Sequence, residues 1–268
     1  MVSAKDNTLE LFLDTKVRSN ELGTDQYNHG GTGAAFGCAY ERISWHNIGD
    51  YILPIVQYIR KTSPDHIIAI DRGGRLVGLA AKILYRELYG DLPTVGGMIK
   101  FVYFSNRLKP YVSAYRLSKE NIKPLVAEIL NNAPTGKSKV TILDDYAGSC
   151  ETLRGIRKIF NELSGGTLEL SAAVMQGIGG SYGGADISSS ERHIRTWDWE
   201  VYEQLSGVDY VPENFKPVII KMQDTPLGCI PSGKVPHIWY RERMIEALQD
   251  FAKRLKREAS LVSSNTGR

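Results

Sequence analysis

Lys139-Val140-Thr141-Ile142-Leu143-Asp144-Asp145-Tyr146-Ala147-Gly148-Ser149-Cys150-Glu151-Thr152-Leu153 is the stretch on which the fold turns. Val140 to Leu143 is a short apolar run with β-branched residues, suited to a buried parallel strand, and it ends at two acids, Asp144 and Asp145. Ala147, Gly148 and Ser149 are small residues that suit a tight turn. Beyond them Leu153, Ile156, Ile159, Phe160 and Leu163 recur at helical spacing, which predicts a helix from Thr152 to Leu163. The order is strand, acidic pair, loop, helix. A loop at the carboxyl end of a strand gathers backbone N–H groups and the positive end of a helix dipole around one point, where a phosphate can sit. Ser149 and Thr152 add hydroxyl donors. The carboxylates cannot hold a phosphate, but they can accept hydrogen bonds from sugar hydroxyls or share a bound magnesium ion. Capping and solvation of the helix start is the other reading of the acidic pair.

Upstream the same arrangement recurs. Ser44 is a good N-cap for a helix from Trp45 to Lys61 with an apolar stripe at Ile48, Tyr51, Ile52, Ile55, Val56 and Ile59. His66 to Ile70 then reads as a buried strand running into Asp71-Arg72-Gly73-Gly74-Arg75, ahead of a helix from Leu76 to Leu88. The glycines let backbone approach a ligand closely, and Arg72 and Arg75 bring charge suited to anionic oxygen. An ordinary turn fits the Gly-Gly pair as well. Gly96 to Phe104 reads as a strand, Ser105 to Leu117 as a mobile basic loop holding Arg107 and Lys109, and Lys119 to Asn131 as a helix capped by Ser118. Leu168 to Met175 is a further strand, with Gln176 at the root of a glycine-rich loop. Alternating strands and helices predict an α/β fold with a doubly wound parallel sheet, whose ligands collect at the carboxyl ends of the strands.

Ile142 to Thr152 resembles the phosphoribosyl-diphosphate signature of type I phosphoribosyltransferases, and Ile70-Asp71-Arg72-Gly73-Gly74-Arg75-Leu76-Val77 resembles the pyrophosphate loop of xanthine-type members. The two matches stand in the family's order. The resemblance implies a magnesium-dependent transfer with 5-phosphoribosyl 1-diphosphate (PRPP) as co-substrate. By it, Ala147, Gly148, Ser149, Cys150, Glu151 and Thr152 hold the 5′-phosphate. Asp144 and Asp145 hold the ribose hydroxyls, and reach the metal through them or through water. Asp71, Arg72, Gly73, Gly74 and Arg75 take the pyrophosphate. Arg107 and Lys109 close over it and, with the two aspartates, are the candidate catalytic residues. The chain departs from the family at two positions. Cys150 stands where many members have glycine, and Gly148 stands where members acting on 6-oxopurines have an aspartate base, which disfavours that mechanism. Three readings remain open: transfer to a nucleobase or related acceptor, a PRPP-binding regulator without catalysis, and a different phosphate-binding α/β enzyme.

The rest of the chain sets bounds. At 268 residues, one main domain with additions is expected: an extension over 1–42, the core over 43–185, a C-terminal addition over 186–258 that serves as a hood or oligomer contact, and a disordered tail over 259–268. A terminal helix is expected from Trp239 to about Glu258. Hydrophobic content of 42% without any run approaching the ~18 apolar residues of a membrane span fits a soluble protein. No leader-like start is present, so secretion is not expected. Cys38, Cys150 and Cys229 are scattered, without zinc or disulfide spacing, which suits a reducing cytoplasm. The net charge of +3 is mild, and the basic run Lys253, Arg254, Lys256 and Arg257 reads as a solvated helix face rather than a nucleic-acid contact. The expected partners are a small-molecule substrate and a second copy of the chain, as a homodimer, with no nucleic acid and no membrane.

Overall fold

The computed structural model describes residues 41–43, 47–71, 73–104, 111–133, 137–147, 151–177, 185–190, 194–197, 208–210, 217–225, 228–234 and 237–266. In chain order the elements are β1 (Glu41–Ile43), α1 (Ile48–Thr62), β2 (His66–Asp71), α2 (Gly73–Tyr89), β3 (Ile99–Tyr103), α3 (Tyr111–Asn131), β4 (Ser138–Ala147), α4 (Glu151–Ser164), β5 (Leu168–Gly177), β6 (Ile187–Ser190), β7 (Ile194–Trp197), β8 (Val208–Tyr210), β9 (Pro217–Thr225), β10 (Gly228–Lys234) and α5 (His237–Thr266).

Five strands form one parallel sheet in the order β3-β2-β4-β5-β6. Side chains alternate across it, as the period of two requires. On one face Ile67, Ala69, Leu143, Ala173 and Met175 pack with α1 and α2. On the other Ile68, Ile70, Val140, Ile142, Ala172 and Val174 pack with Ile122, Val126 and Ile129 of α3 and Leu153, Ile156, Ile159 and Phe160 of α4. With both faces covered, the strands read as continuous apolar runs. The chain is therefore α/β with a doubly wound parallel sheet.

β2 and β4 are neighbours, yet their following helices, α2 and α4, lie on opposite faces. The sheet's winding reverses between these two strands, and this is where α/β sheets open a crevice at their carboxyl ends. Pairing of β2 with β4 ends at Ala69 and Leu143, whereas β4 stays paired with β5 as far as Ala147 opposite Gly177.

Several boundaries differ from the sequence expectation. α1 begins at Ile48 rather than Trp45, and Ser44 lies outside the described residues. β3 begins at Ile99 rather than Gly96, because Gly96 and Gly97 adopt left-handed backbone at φ 73° and 61°, which a strand cannot contain. Tyr111 to Leu117, expected as loop, is the start of α3, and Ser118 is a buried residue within that helix rather than its cap. Once the stripe of 122–129 nucleates a helix, extension adds a hydrogen bond per residue fixed.

The C-terminal half departs further. The fifth strand of the sheet, β6, lies past the expected core limit of 185. β8, β9 and β10 form an antiparallel sheet, and β1 pairs with β7. α5 runs to Thr266, not to Glu258, and 259–266 is helical where disorder was expected. Ala259 is buried, which anchors the turn that the rest extends. α5 is moreover part of the main core: Met244, Leu248, Phe251, Ala252 and Leu255 are buried with α1 and α2. The Phe251 ring occupies the space at Gly49, where an added Cβ would lie 2.2 Å from it. Gln249 Nε2 donates to Glu87 Oε1 at 3.0 Å and Lys256 Nζ donates to the Glu87 carbonyl at 2.5 Å, at the end of α2. The basic run is engaged along the helix as well, with Lys253 on Asp250 at 3.1 Å and Arg254 over the Phe251 ring. No helix among the described residues is long and apolar enough to cross a membrane. The 1–40 part of the N-terminal extension lies outside the described residues.

Candidate active site

The acidic pair lies inside β4, not beyond its end. Val140 to Leu143 was the expected extent of the strand, but partners on β5 continue to Gly177, so Asp144, Asp145, Tyr146 and Ala147 remain in the ladder. From Asp144 onward only the β5 side of the strand is paired among the described residues.

Asp144 is 6% exposed and Asp145 half-buried. The backbone N–H of Asp145 donates to Asp144 Oδ1 at 3.0 Å. Burial, and then the neighbouring charge of Asp145, hold the Asp144 carboxyl well above the usual aspartate range. Asp145 is also raised by burial, opposed by hydrogen bonds from Asp144, its own amide and that of Tyr146. Two adjacent carboxylates in a desolvated position favour hydrogen-bond donors or a cation between or beside them. Among the described residues no group of three or more histidines, cysteines or acids is placed to hold a metal, so the pair alone is not a metal cage.

The upstream turn is tighter than the sequence suggested. Asp71 ends β2 and Gly73 begins α2, so Gly73, Gly74 and Arg75, expected as loop, form the first helical turn, while Arg72 lies outside the described residues. The glycines permit this because the helix start sits directly on β4. A Cβ at Gly74 would lie 2.5 Å from the Leu143 carbonyl oxygen and 3.1 Å from the Asp144 Cα. A helix's first four N–H groups have no partner within it, and this first turn contains no acid. The Arg75 guanidinium lies over the Phe101 ring, 4.8 Å from its centroid, a cation–π contact that holds it toward β3.

After β4, Ala147 is a buried strand residue rather than a loop residue, and Gly148, Ser149 and Cys150 lie outside the described residues. Glu151 is the exposed first residue of α4, one position before the expected helix start, and Thr152, the expected start, is its half-buried second. Arg107 and Lys109 also lie outside the described residues. What the structure brings together among the described residues is the first turn of α2 at Gly74 and the β4 backbone at Leu143 and Asp144, at the carboxyl ends of adjacent strands. Two features were missed from sequence: the Gly74 contact, and Tyr146, 48% exposed on β4 opposite buried Gln176. The alternation of Ile142, Asp144 and Tyr146 on one strand was the available signal for the latter.

The chain is similar to the crystal structure of the purine phosphoribosyltransferase from Pyrococcus horikoshii Ot3, at a TM-score of 0.37 and 16% identity over 57% of this chain and 90% of that one. Neither a family model nor a curated protein matches the chain. A likeness of that size carries no weight for activity.

Proposed function

We propose that the chain is a phosphoribosyltransferase that moves the phosphoribosyl group of PRPP to a nucleobase or related acceptor and releases pyrophosphate. The observation that carries this reading is the seating of α2's first turn on the backbone of Leu143 and Asp144, which sets a helix N-terminus suited to an anion beside the buried Asp144 and half-buried Asp145. A sugar with a diphosphate at one end and a phosphate at the other matches that sequence of groups: helix start, acids, second loop.

In such a transfer the bond from ribose C1 to the diphosphate oxygen breaks while the acceptor nitrogen bonds to C1. Positive charge develops on the ring and negative charge on the leaving group, so the protein's part is positioning and electrostatics. Asp144 and Asp145 accept hydrogen bonds from the ribose hydroxyls, which favour their ionised forms and offset the burial that raises them. The N–H groups of Gly73 and Gly74 take the departing diphosphate, and Ser149 and Thr152 the 5′-phosphate. The donor set fits magnesium only through the ligand: Asp144 and Asp145 would reach it by way of ribose hydroxyls or water, and it would neutralise the diphosphate. A cytoplasmic setting and a homodimer, both expected from sequence, belong to this reading.

Calorimetry with PRPP and magnesium tests it. The parent chain should bind, and the Asp144→Asn/Asp145→Asn double variant should lose about tenfold or more in affinity, since a hydrogen bond to a charged group is worth roughly 1.5–3 kcal/mol. Its circular dichroism should be unchanged. Equal affinity in the two proteins would reject the assigned roles. A panel of nucleobases assayed for pyrophosphate release then separates an enzyme from a regulator that binds PRPP and transfers nothing.

A further inference from the structure

Gly74 has no positive φ, so backbone conformation does not call for a glycine there; space does. The atoms a Cβ would meet are the Leu143 carbonyl oxygen at 2.5 Å, the Asp144 Cα at 3.1 Å and the Leu143 carbonyl carbon at 3.3 Å, and all are backbone. None can swing aside as a side chain would. The pairing of β2 with β4 has already ended at Ala69 and Leu143, so this contact joins the two halves of the crevice just past the last paired residues. One turn further along α2, Gly78 serves the same close approach lower on the sheet, where a Cβ would lie 2.9 Å from the Ala69 Cβ and 3.3 Å from Ile99 Cγ2.

We propose that Gly74 is a positioning residue: its contact with Leu143 and Asp144 sets the spacing between the first-turn N–H groups of α2 and the Asp144–Asp145 pair, which a ligand must match to engage both. This rests on the transferase reading, in which one donor spans the two. A Cβ at position 74 has to retreat by at least about 0.5 Å to reach even 3.0 Å from the Leu143 oxygen, and the helix start moves with it. A ligand held at both places feels that displacement. A ligand held only at the acids and the loop beyond β4 does not.

The experiment compares Gly74→Ala with Gly78→Ala by calorimetry, using magnesium PRPP as the spanning probe and ribose 5-phosphate as the one-sided probe. Gly78→Ala introduces a milder collision on the same helix, 2.9 Å from the Ala69 Cβ and away from the acids, so it controls for the effect of an added methyl group on α2. Displacements approaching 1 Å can cost about a hundredfold. In Gly74→Ala we expect PRPP affinity to fall tenfold or more while ribose 5-phosphate stays within about twofold, and in Gly78→Ala the ratio of the two affinities to stay at the parent value. Parallel loss of both ligands in Gly74→Ala, or the same selective loss in Gly78→Ala, overturns the assignment. Hydrogen exchange on the parent protein provides a measurement that does not depend on the variant folding. PRPP should slow amides in both 73–76 and 144–147, and ribose 5-phosphate only those in 144–147; PRPP protection confined to one segment overturns the proposal. A parent chain that binds neither probe defeats the transferase reading itself, and the assignment with it. A parent that binds PRPP without the selective loss defeats the assignment alone.

Discussion

Replacing Leu248 by Ala should destabilise the whole sheet domain, although the residue lies near the C-terminus and far along the chain from the strands. Leu248 and Leu255 are fully buried against α1 and α2, seven residues apart on one face of α5. Truncating a buried leucine to alanine removes packed methyl groups and leaves a cavity, at a cost of about 2–5 kcal/mol. The two sites are separated by about 10 Å of helical rise, far enough for their effects to add. The double variant should therefore lose roughly 4–10 kcal/mol, comparable with the 5–15 kcal/mol that holds a typical domain together. With a urea dependence of roughly 1–3 kcal/mol per molar, Leu248→Ala should lower the unfolding midpoint by about 0.7 M or more. Leu261, 64% exposed on the same helix, is the control, and its change to alanine should cost under about 0.5 kcal/mol. Urea melts followed by circular dichroism decide the matter. If Leu248→Ala shifts the midpoint no further than Leu261→Ala, α5 is an appended helix and its assignment to the core is wrong.

Asp144→Asn should make the protein more stable at pH 7 in metal-free buffer, although on the proposed reading it would remove a ribose contact. Above pH 3.8 the unfolded chain has released a proton that the folded protein still holds, so stability falls as pH rises through that window, and the amide abolishes the fall. The variant's advantage in urea should shrink toward pH 4, and an advantage equal at pH 4 and pH 7 would contradict the cause given. His66 works with the opposite sign: it is buried with Nε2 unpartnered, and burial first, then Lys100, lower its proton affinity, so the unfolded chain protonates first as pH falls below 6.5. Relative to the parent, His66→Phe should lose less stability between pH 7.5 and pH 5, and identical losses would clear His66 of the effect.

The alternation of apolar strands with striped helices was legible from residues alone, because burial of a parallel sheet on both faces forces such runs. The β2 and β4 ends could be placed in one crevice for the same reason. Strand and helix limits near the site were less legible. Nothing in Asp144-Asp145-Tyr146 says that β5 will go on pairing with them, since a partner strand's length is not written in the strand it pairs with. Gly73 and Gly74 read as loop because glycine disfavours helices, yet a close seat against Leu143 outweighs that preference. The role of α5 was hidden for a related reason. Its apolar positions announce an amphipathic helix, but which surface they cover is decided by α1 and α2, nearly two hundred residues earlier in the chain.

The half-open ladder of β4 has a further consequence. Val140 to Leu143 pair with strands on both sides, whereas among the described residues the Asp144 to Ala147 part of the strand pairs with β5 alone. The carboxylates thus sit where the pairing of the strand passes from two partners to one, while Ala147 beyond them is buried in the core with residues of α3 and α4. A ligand bound beside Asp144 and Asp145 would supply a second flank for this part of the strand.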